Sequence, residues 1–317
     1  MLAGADPQPA SDDASFRRYF RVQSGSESFI VMDAPPEQED CTPFMRVAGY
    51  LEAMNLNAPR IIEANIEQGF LLLTDLGEMR YLDRLNQEPG AAPSLYGDAL
   101  QALSLMQDRG AAYQSLLPAY NEKLLRFELS LFHDWLCQTH LGLEFSDNDE
   151  ARWQCLCDLL VANALDQPPV FVHRDYHSRN LMLTDANNPG ILDFQDAVEG
   201  PLTYDLVSLL KDCYVRWEPL QVRQWALGYF QDLDVSLHRQ LDKDLFMRYF
   251  DLMGVQRHLK ASGIFARLKH RDDKAAYMTD VPRTLRYIVE LGPQYEELGF
   301  LVEWLKTRCL PVLGDAS

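Results

Sequence analysis

Long apolar runs are missing from this sequence. No stretch approaches the roughly 20 apolar residues that a membrane helix needs, so no span is expected. Positive charge is scarce: 29 Lys plus Arg face 47 Asp plus Glu, a formal net charge of −18 over 317 residues. Binding a phosphate backbone requires a basic face, so nucleic acid is not expected as a partner. The six cysteines (Cys41, Cys137, Cys155, Cys157, Cys213 and Cys309) show neither paired metal spacing nor the density of a secreted framework. Reduced thiols in a cytoplasmic protein are the expectation. Met1 to Asp13 has no basic n-region and no apolar h-region, so a signal peptide is not expected. Repeats and low-complexity tracts are absent. So is G-x-x-x-x-G-K-[ST], which argues against a Walker-type ATPase.

What is present is ordinary for a globular chain: 47% hydrophobic and 24% charged residues, ample for a core without staples. At about 150 residues per domain the length predicts two domains or lobes. The first ten residues read as a loose tail. Alternation predicts strands at Phe16 to Val22 and Phe29 to Met32, joined across the turn-rich stretch from Gln23 to Ser28. Thr42-Pro43 predicts a helix start, Thr as cap and Pro in the first turn, running to about Met54. Further strands are expected at Arg60 to Asn65 and Phe70 to Thr74. After Gly77 the pattern turns helical near 95–107, 122–139 and 151–164. Pro168-Pro169 interrupts it, and short strands at Val170 to Val172 and Ile191-Leu192 each lead into polar residues. The expected division is a small β-rich lobe, 1–76, and a large mostly helical lobe, 77–317, an α+β arrangement with a natural cleft at the join.

The chemistry concentrates in Val172-His173-Arg174-Asp175-Tyr176-His177-Ser178-Arg179-Asn180-Leu181, followed by Gly190-Ile191-Leu192-Asp193-Phe194. Asp175 and Asn180 share one loop, and Asp193 follows Asn180 by 13 residues across what reads as a hairpin. Two carboxylates and an amide gathered in this way suit Mg²⁺ held on phosphate oxygens, with Asp175 left to face a nucleophile. The spacing is that of a kinase catalytic loop, H-R-D-x-x-x-x-N with a following aspartate.

His177 stands where protein kinases carry lysine, so the pattern H-x-D-x-H-x-x-N resembles the aminoglycoside phosphotransferase and choline kinase group. Asp12 to Arg21, Val31 to Pro36, Phe70 to Gly77 and Gly254 to Lys260 are similar to one bacterial branch, the anomeric N-acetylmuramate/N-acetylglucosamine kinases of cell-wall recycling. The resemblance implies a two-lobed protein-kinase-like fold and transfer of phosphate from ATP, with Mg²⁺, to the C1 hydroxyl of an amino sugar. Asp175 would accept the proton of the attacking hydroxyl or orient it, while Asn180 and Asp193 would hold Mg²⁺. His173 and His177 would support the loop, and Asp205 would anchor it from a helix start. The hinge segment, with Asp75 and Leu76, would meet adenine through backbone groups. A monomer is expected. Another small alcohol as substrate, or a pseudokinase regulator, are the alternatives; a pseudokinase usually lacks one of the three polar groups, and all three are here.

Two departures stand out. No lysine precedes Lys123, so the third strand has none for the phosphates. Strand alternation from Phe20 and Val22 would aim Arg18 into the cleft and put Arg17 and Arg21 on the opposite face. Ser11 to Ser15 replaces the glycines of a nucleotide loop, leaving Ser15 to let backbone N–H groups approach phosphate. Second, residues 257–274 carry Arg257, Lys260, Arg267, Lys269, Arg271 and Lys274 against Asp272 and Asp273. Helical spacing puts Arg257, Lys260, Arg267 and Arg271 on one side, with Gly263 a point where the helix could break. Such a patch is usually a solvated face. In so acidic a chain it could instead draw an anionic sugar, with Arg257 and Lys260 as contacts.

Overall fold

The computed structural model describes residues 6–12, 16–238 and 241–314. Strand β1 (Gln8–Asp12), β2 (Arg18–Ser24) and β3 (Glu27–Asp33) open the chain. Helix α1 (Thr42–Ala53), β4 (Ile61–Asn65) and β5 (Phe70–Thr74) follow. The five strands form one antiparallel sheet in the order β1-β2-β3-β5-β4. The β2–β3 ladder runs to Ser24 opposite Glu27, so the connection is only Gly25-Ser26. Gly25 has φ +64°, which suits the first central position of a primed two-residue turn.

Three local expectations are corrected. Residues 8–12 are not tail but β1; backbone pairing to the sheet edge needs no apolar pattern. Strand β2 starts at Arg18, two residues later than expected, so Phe16 and Arg17 lie outside its regular alternation. Thr42 is the first residue of α1 rather than its cap, and its N–H donates to Asp40 Oδ1 at 2.8 Å. Hydrogen bonding to Thr42 holds the exposed Asp40 carboxyl below its ordinary range.

Cross-strand pairs identify the inner face of the sheet. Tyr19 pairs with Met32, Arg21 with Ile30, Ile30 with Leu73 and Met32 with Leu71. Met32, Leu71 and Leu73 are 0, 1 and 2% exposed, so this face is core. The other face carries Arg18 opposite Asp33, buried Val22 opposite Phe29, and half-exposed Phe70.

The remaining elements are α2 (Tyr81–Gln87), α3 (Ala92–Gly110), α4 (Glu122–Leu131), α5 (Asp147–Leu165), β6 (Pro169–Val172), β7 (Leu181–Met182), β8 (Gly190–Ile191), β9 (Val198–Pro201), α6 (Tyr204–Leu210), α7 (Pro219–Gln231), α8 (Val235–His238), α9 (Lys243–Asp272), α10 (Val281–Leu291), α11 (Gly299–Trp304) and α12 (Leu310–Leu313). β6 pairs with β9 and β7 with β8, both antiparallel. The chain divides into two compact units: 1–114 with 173–197, and 115–172 with 198–317. The first unit therefore takes α2, α3 and the β7–β8 hairpin along with the sheet, beyond the expected join at 76/77.

The second unit is mostly helical around α9. The helix expected over 122–139 is α4 followed by a π-helical stretch, Phe132–His140. Gly263 does not break α9, which runs 30 residues unbroken. A Cβ there would lie 2.2 Å from the Leu131 carbonyl carbon and 2.4 Å from Phe132 N, so glycine permits a close helix–helix approach. No helix among the described residues is long and apolar enough to cross a membrane.

Candidate active site

Strand β6 runs directly into His173 and the polar loop. Arg174 has φ +79° and Asp193 φ +63°, left-handed conformations that cost free energy for L side chains and concentrate at functional loops. The loop is held from several sides within the first unit. Tyr176 is fully buried and its hydroxyl donates to the Ala99 carbonyl at 2.9 Å. Leu82 N–H donates to the Ser178 carbonyl at 3.0 Å. Asn188 Nδ2 donates to the Tyr81 hydroxyl and to Asp98 at 2.8 and 2.7 Å, anchoring the hairpin turn. Phe194 packs on Phe44 of α1 with ring centroids 4.8 Å apart, which fixes the backbone just after Asp193.

Within that frame the sequence trio comes together. Asn180 Nδ2 donates to the Asp175 carbonyl at 3.0 Å and to Asp193 Oδ2 at 3.2 Å. Asp193 Oδ1 accepts from Gln195 Nε2 at 2.8 Å, a contact that sequence reasoning missed because its only signal is a position two residues on. His173 is fully buried. Asp175 N–H donates to its Nδ1 at 3.2 Å, so that nitrogen carries no proton. Burial pushes the His173 pKa down to about 4, and the ring stays neutral near pH 7. His177 shapes the turn through its backbone: its N–H donates to the Asp175 carbonyl at 3.1 Å and its carbonyl accepts from Asn180 N–H at 2.9 Å. Among the described residues no group of three or more His, Cys, Asp or Glu forms a metal cage. Mg²⁺ needs none, because it is commonly held by one or two carboxylates and completed by phosphate oxygens and water. The oxygen donors of Asn180 and Asp193 fit that chemistry.

The hinge segment is clamped. Arg21 donates to Asp75 through Nε at 2.6 Å and Nη2 at 3.1 Å, and to the Gly77 carbonyl at 2.8 Å. Ser28 and the Gly77 N–H also donate to Asp75, at 2.5 and 3.0 Å. Burial pushes the Asp75 carboxyl upward, but the bonds from Arg21, Ser28 and Gly77 outweigh it and hold it below the usual range. The Asp75 side chain is therefore occupied in fixing the segment. Gly77 has φ +93°, which requires glycine.

The arginines at the start of β2 have different surroundings. Arg18 is 64% exposed and paired with Asp33. Arg17 is 10% exposed, with Nη2 4.0 Å from Asp193 Oδ1 and Nε 4.0 Å from Glu39 Oε2. Arg18 shares the face of β2 that carries Phe20 and Val22, as alternation predicts, while Arg17 precedes the strand and is not placed by its alternation. Ser15 lies outside the described residues.

The basic face of α9 is not a solvated patch at its N-terminal half. Arg257 and Lys260 are both 7% exposed. The Lys260 ammonium is 3.0 Å from Glu128 and donates to the Tyr204 hydroxyl at 2.8 Å. The Arg257 guanidinium lies 5.0 Å from the Tyr204 ring centroid, a cation–π distance. Further along, Arg271 pairs with its neighbour Asp272. Asp205 is fully buried in the first turn of α6, in the second unit.

The sheet, the helical unit and the loop trio define a protein-kinase-like phosphotransferase. The chain belongs to the phosphotransferase enzyme family (APH), whose match covers residues 6–241. It is 51% identical over 298 residues to a Pseudomonas aeruginosa protein named N-acetylmuramate/N-acetylglucosamine kinase, covering 93% of this chain and 87% of that one. A Neisseria meningitidis protein of the same name is 40% identical over 310 residues, covering 96% and 90%. Among solved structures, a Plasmodium vivax ethanolamine kinase superposes with TM-score 0.63 at 12% identity, covering 98% of this chain and 84% of the other. An ADP-bound aminoglycoside phosphotransferase superposes with TM-score 0.55 at 15% identity, covering 89% and 92%. These last two share the fold.

Proposed function

We propose that this enzyme transfers the terminal phosphate of ATP to the anomeric hydroxyl of N-acetylmuramate or N-acetylglucosamine, in cell-wall recycling. Phosphoryl transfer is supported above all by one observation: the Asn180 amide bonds both the Asp175 backbone and the Asp193 carboxylate, gathering the three groups of the motif. The sugar comes from the names of the relatives at 40–51% identity.

In this reading Asp175 orients the C1 hydroxyl and takes its proton as the new C1–O–P bond forms and the terminal P–O–P bond of ATP breaks. Asn180 and Asp193 would hold Mg²⁺, which supplies positive charge to the phosphate oxygens. Neutral His173 and the backbone of His177 keep Asp175 in place, and Asp205 supports the loop. The backbone of Asp75 and Leu76 meets adenine. Arg257 is the basic side chain proposed to meet the lactyl carboxylate of N-acetylmuramate; the Lys260 ammonium is paired with Glu128. A cytoplasmic monomer completes the reading, because ATP and recycled sugars meet there.

The test is a panel of amino sugars, aminoglycosides and choline with Mg-ATP, read by ADP release and by NMR of the phosphorylated carbon. Phosphate on C1 of the two N-acetyl sugars is the expected result. Turnover confined to aminoglycosides or choline would overturn the assignment.

A further inference from the structure

The first unit, residues 1–114 and 173–197, contains no lysine. A kinase site nevertheless needs a fixed cation near the polyphosphate, most of all in a chain of net charge −18. The three arginines near the start of the sheet sort themselves by contact. Arg21 is bound to Asp75, Glu78 and the Gly77 carbonyl at the hinge. Arg18 is paired with Asp33 and is mostly exposed. Arg17 is largely buried and lies 4.0 Å from Asp193, one of the two proposed Mg²⁺ ligands.

Glu39 fixes that position. Its Oε1 accepts from Phe16 N–H at 3.1 Å, while its Oε2 lies 4.0 Å from Arg17 Nε. One carboxylate thus holds both the backbone just before Arg17 and the near side of its guanidinium. The far nitrogen, Nη2, faces Asp193. Glu39 Oε2 and Asp193 Oδ1 each lie 4.0 Å from the guanidinium, on its two sides, and so orient it. A planar fork placed in this way suits phosphate oxygens.

We infer that Arg17, positioned by Glu39, is the residue that binds the ATP phosphates in place of the strand lysine of kinases. The inference rests on the nucleotide reading of the same site, and it moves the role from Arg18 to Arg17. Glu39 is a positioning residue, acting through Arg17.

The experiment is calorimetric binding of Mg-ATP and of adenosine, without sugar, to the full chain and its variants. Arg17→Ala and Arg17→Gln should weaken Mg-ATP by about ten- to a hundredfold, the scale of a charge-assisted hydrogen bond. Adenosine has no phosphate, so its affinity should change by less than about twofold, which a general collapse of the site would not permit. Arg17→Lys should recover part of the loss, and Arg18→Ala should stay within about twofold of wild type. Glu39→Gln should give an intermediate loss for Mg-ATP only. Unchanged Mg-ATP affinity in both neutral Arg17 variants, or an equal loss of adenosine, would overturn the inference. Wild-type protein that binds adenosine but gains nothing from the phosphates would overturn it as well. Failure of the wild type to bind any adenine nucleotide would instead overturn the phosphotransferase reading on which it rests.

Discussion

Replacing Lys260 by Met tests whether the basic residues of α9 serve the fold or the substrate. Glu128 is 2% exposed and accepts from the Tyr120 hydroxyl, from Gln256 Nε2 at 3.1 Å and from Lys260 at 3.0 Å. Lys260 supplies a cationic partner in that group. At 3.0 Å the gross attraction is about 5.5 kcal/mol for an effective dielectric of about 20. Desolvation of both ions has already offset much of it, so the pair's net worth against apolar residues is small. Breaking the pair from one side is different. Lys260→Met removes the paired cation from a buried carboxylate, a change that costs about 3–5 kcal/mol. The compensating Glu128→Gln removes that charge, so the double variant should be more stable than Lys260→Met alone. Urea unfolding of wild type, the two single variants and the double variant measures this directly. Lys260→Met within about 1 kcal/mol of wild type, or double-variant losses that simply add, would refute the reasoning. If Lys260 served only the sugar carboxylate, unfolding would hardly change while the preference for N-acetylmuramate collapsed.

Three further outcomes follow from the geometry. Asp175→Asn should lower turnover by about 10²–10⁴ while Mg-ATP affinity stays near wild type, because its proposed partner is the sugar hydroxyl; binding and rate measured on the same preparation check this. Asp193→Ala should weaken Mg²⁺-dependent nucleotide binding more than Asn180→Ala, since a carboxylate brings charge and the amide only a ligand; titration with and without Mg²⁺ ranks them. His258 is buried and stacked on Tyr287, and its Nε2 is 2.9 Å from the Lys211 carbonyl. Burial pushes its pKa down to about 3. From pH 6.5 downward the unfolded chain takes up a proton that the folded chain refuses, so this residue's contribution falls by about 2 kcal/mol by pH 5. Urea midpoints of wild type and His258→Gln should therefore converge as pH drops from 7.5 to 5; parallel curves would refute the assignment.

The catalytic loop was legible in the sequence because its chemistry is short-range. Asp175, Asn180 and Asp193 sit in one loop and one hairpin, so spacing alone nearly dictates that they meet, and the sheet strands could likewise be read from alternation. The place of Arg17 could not be read in that way. Arg17 precedes β2, so strand alternation says nothing of it, and only the packed first unit brings it beside Glu39 and Asp193. Helical periodicity placed Arg257 and Lys260 on one side of α9, but periodicity does not say whether a face meets water or protein. That was decided by α4 and α6, which bring Glu128 and Tyr204 to them from distant parts of the chain. Gly263 carries the same lesson. As a local signal it marks a weak point in a helix, whereas the packed structure uses the missing Cβ to let α9 pass within contact of the Leu131–Phe132 backbone. Local hydrogen bonding and spacing are written along the chain, while burial depends on which distant elements pack together.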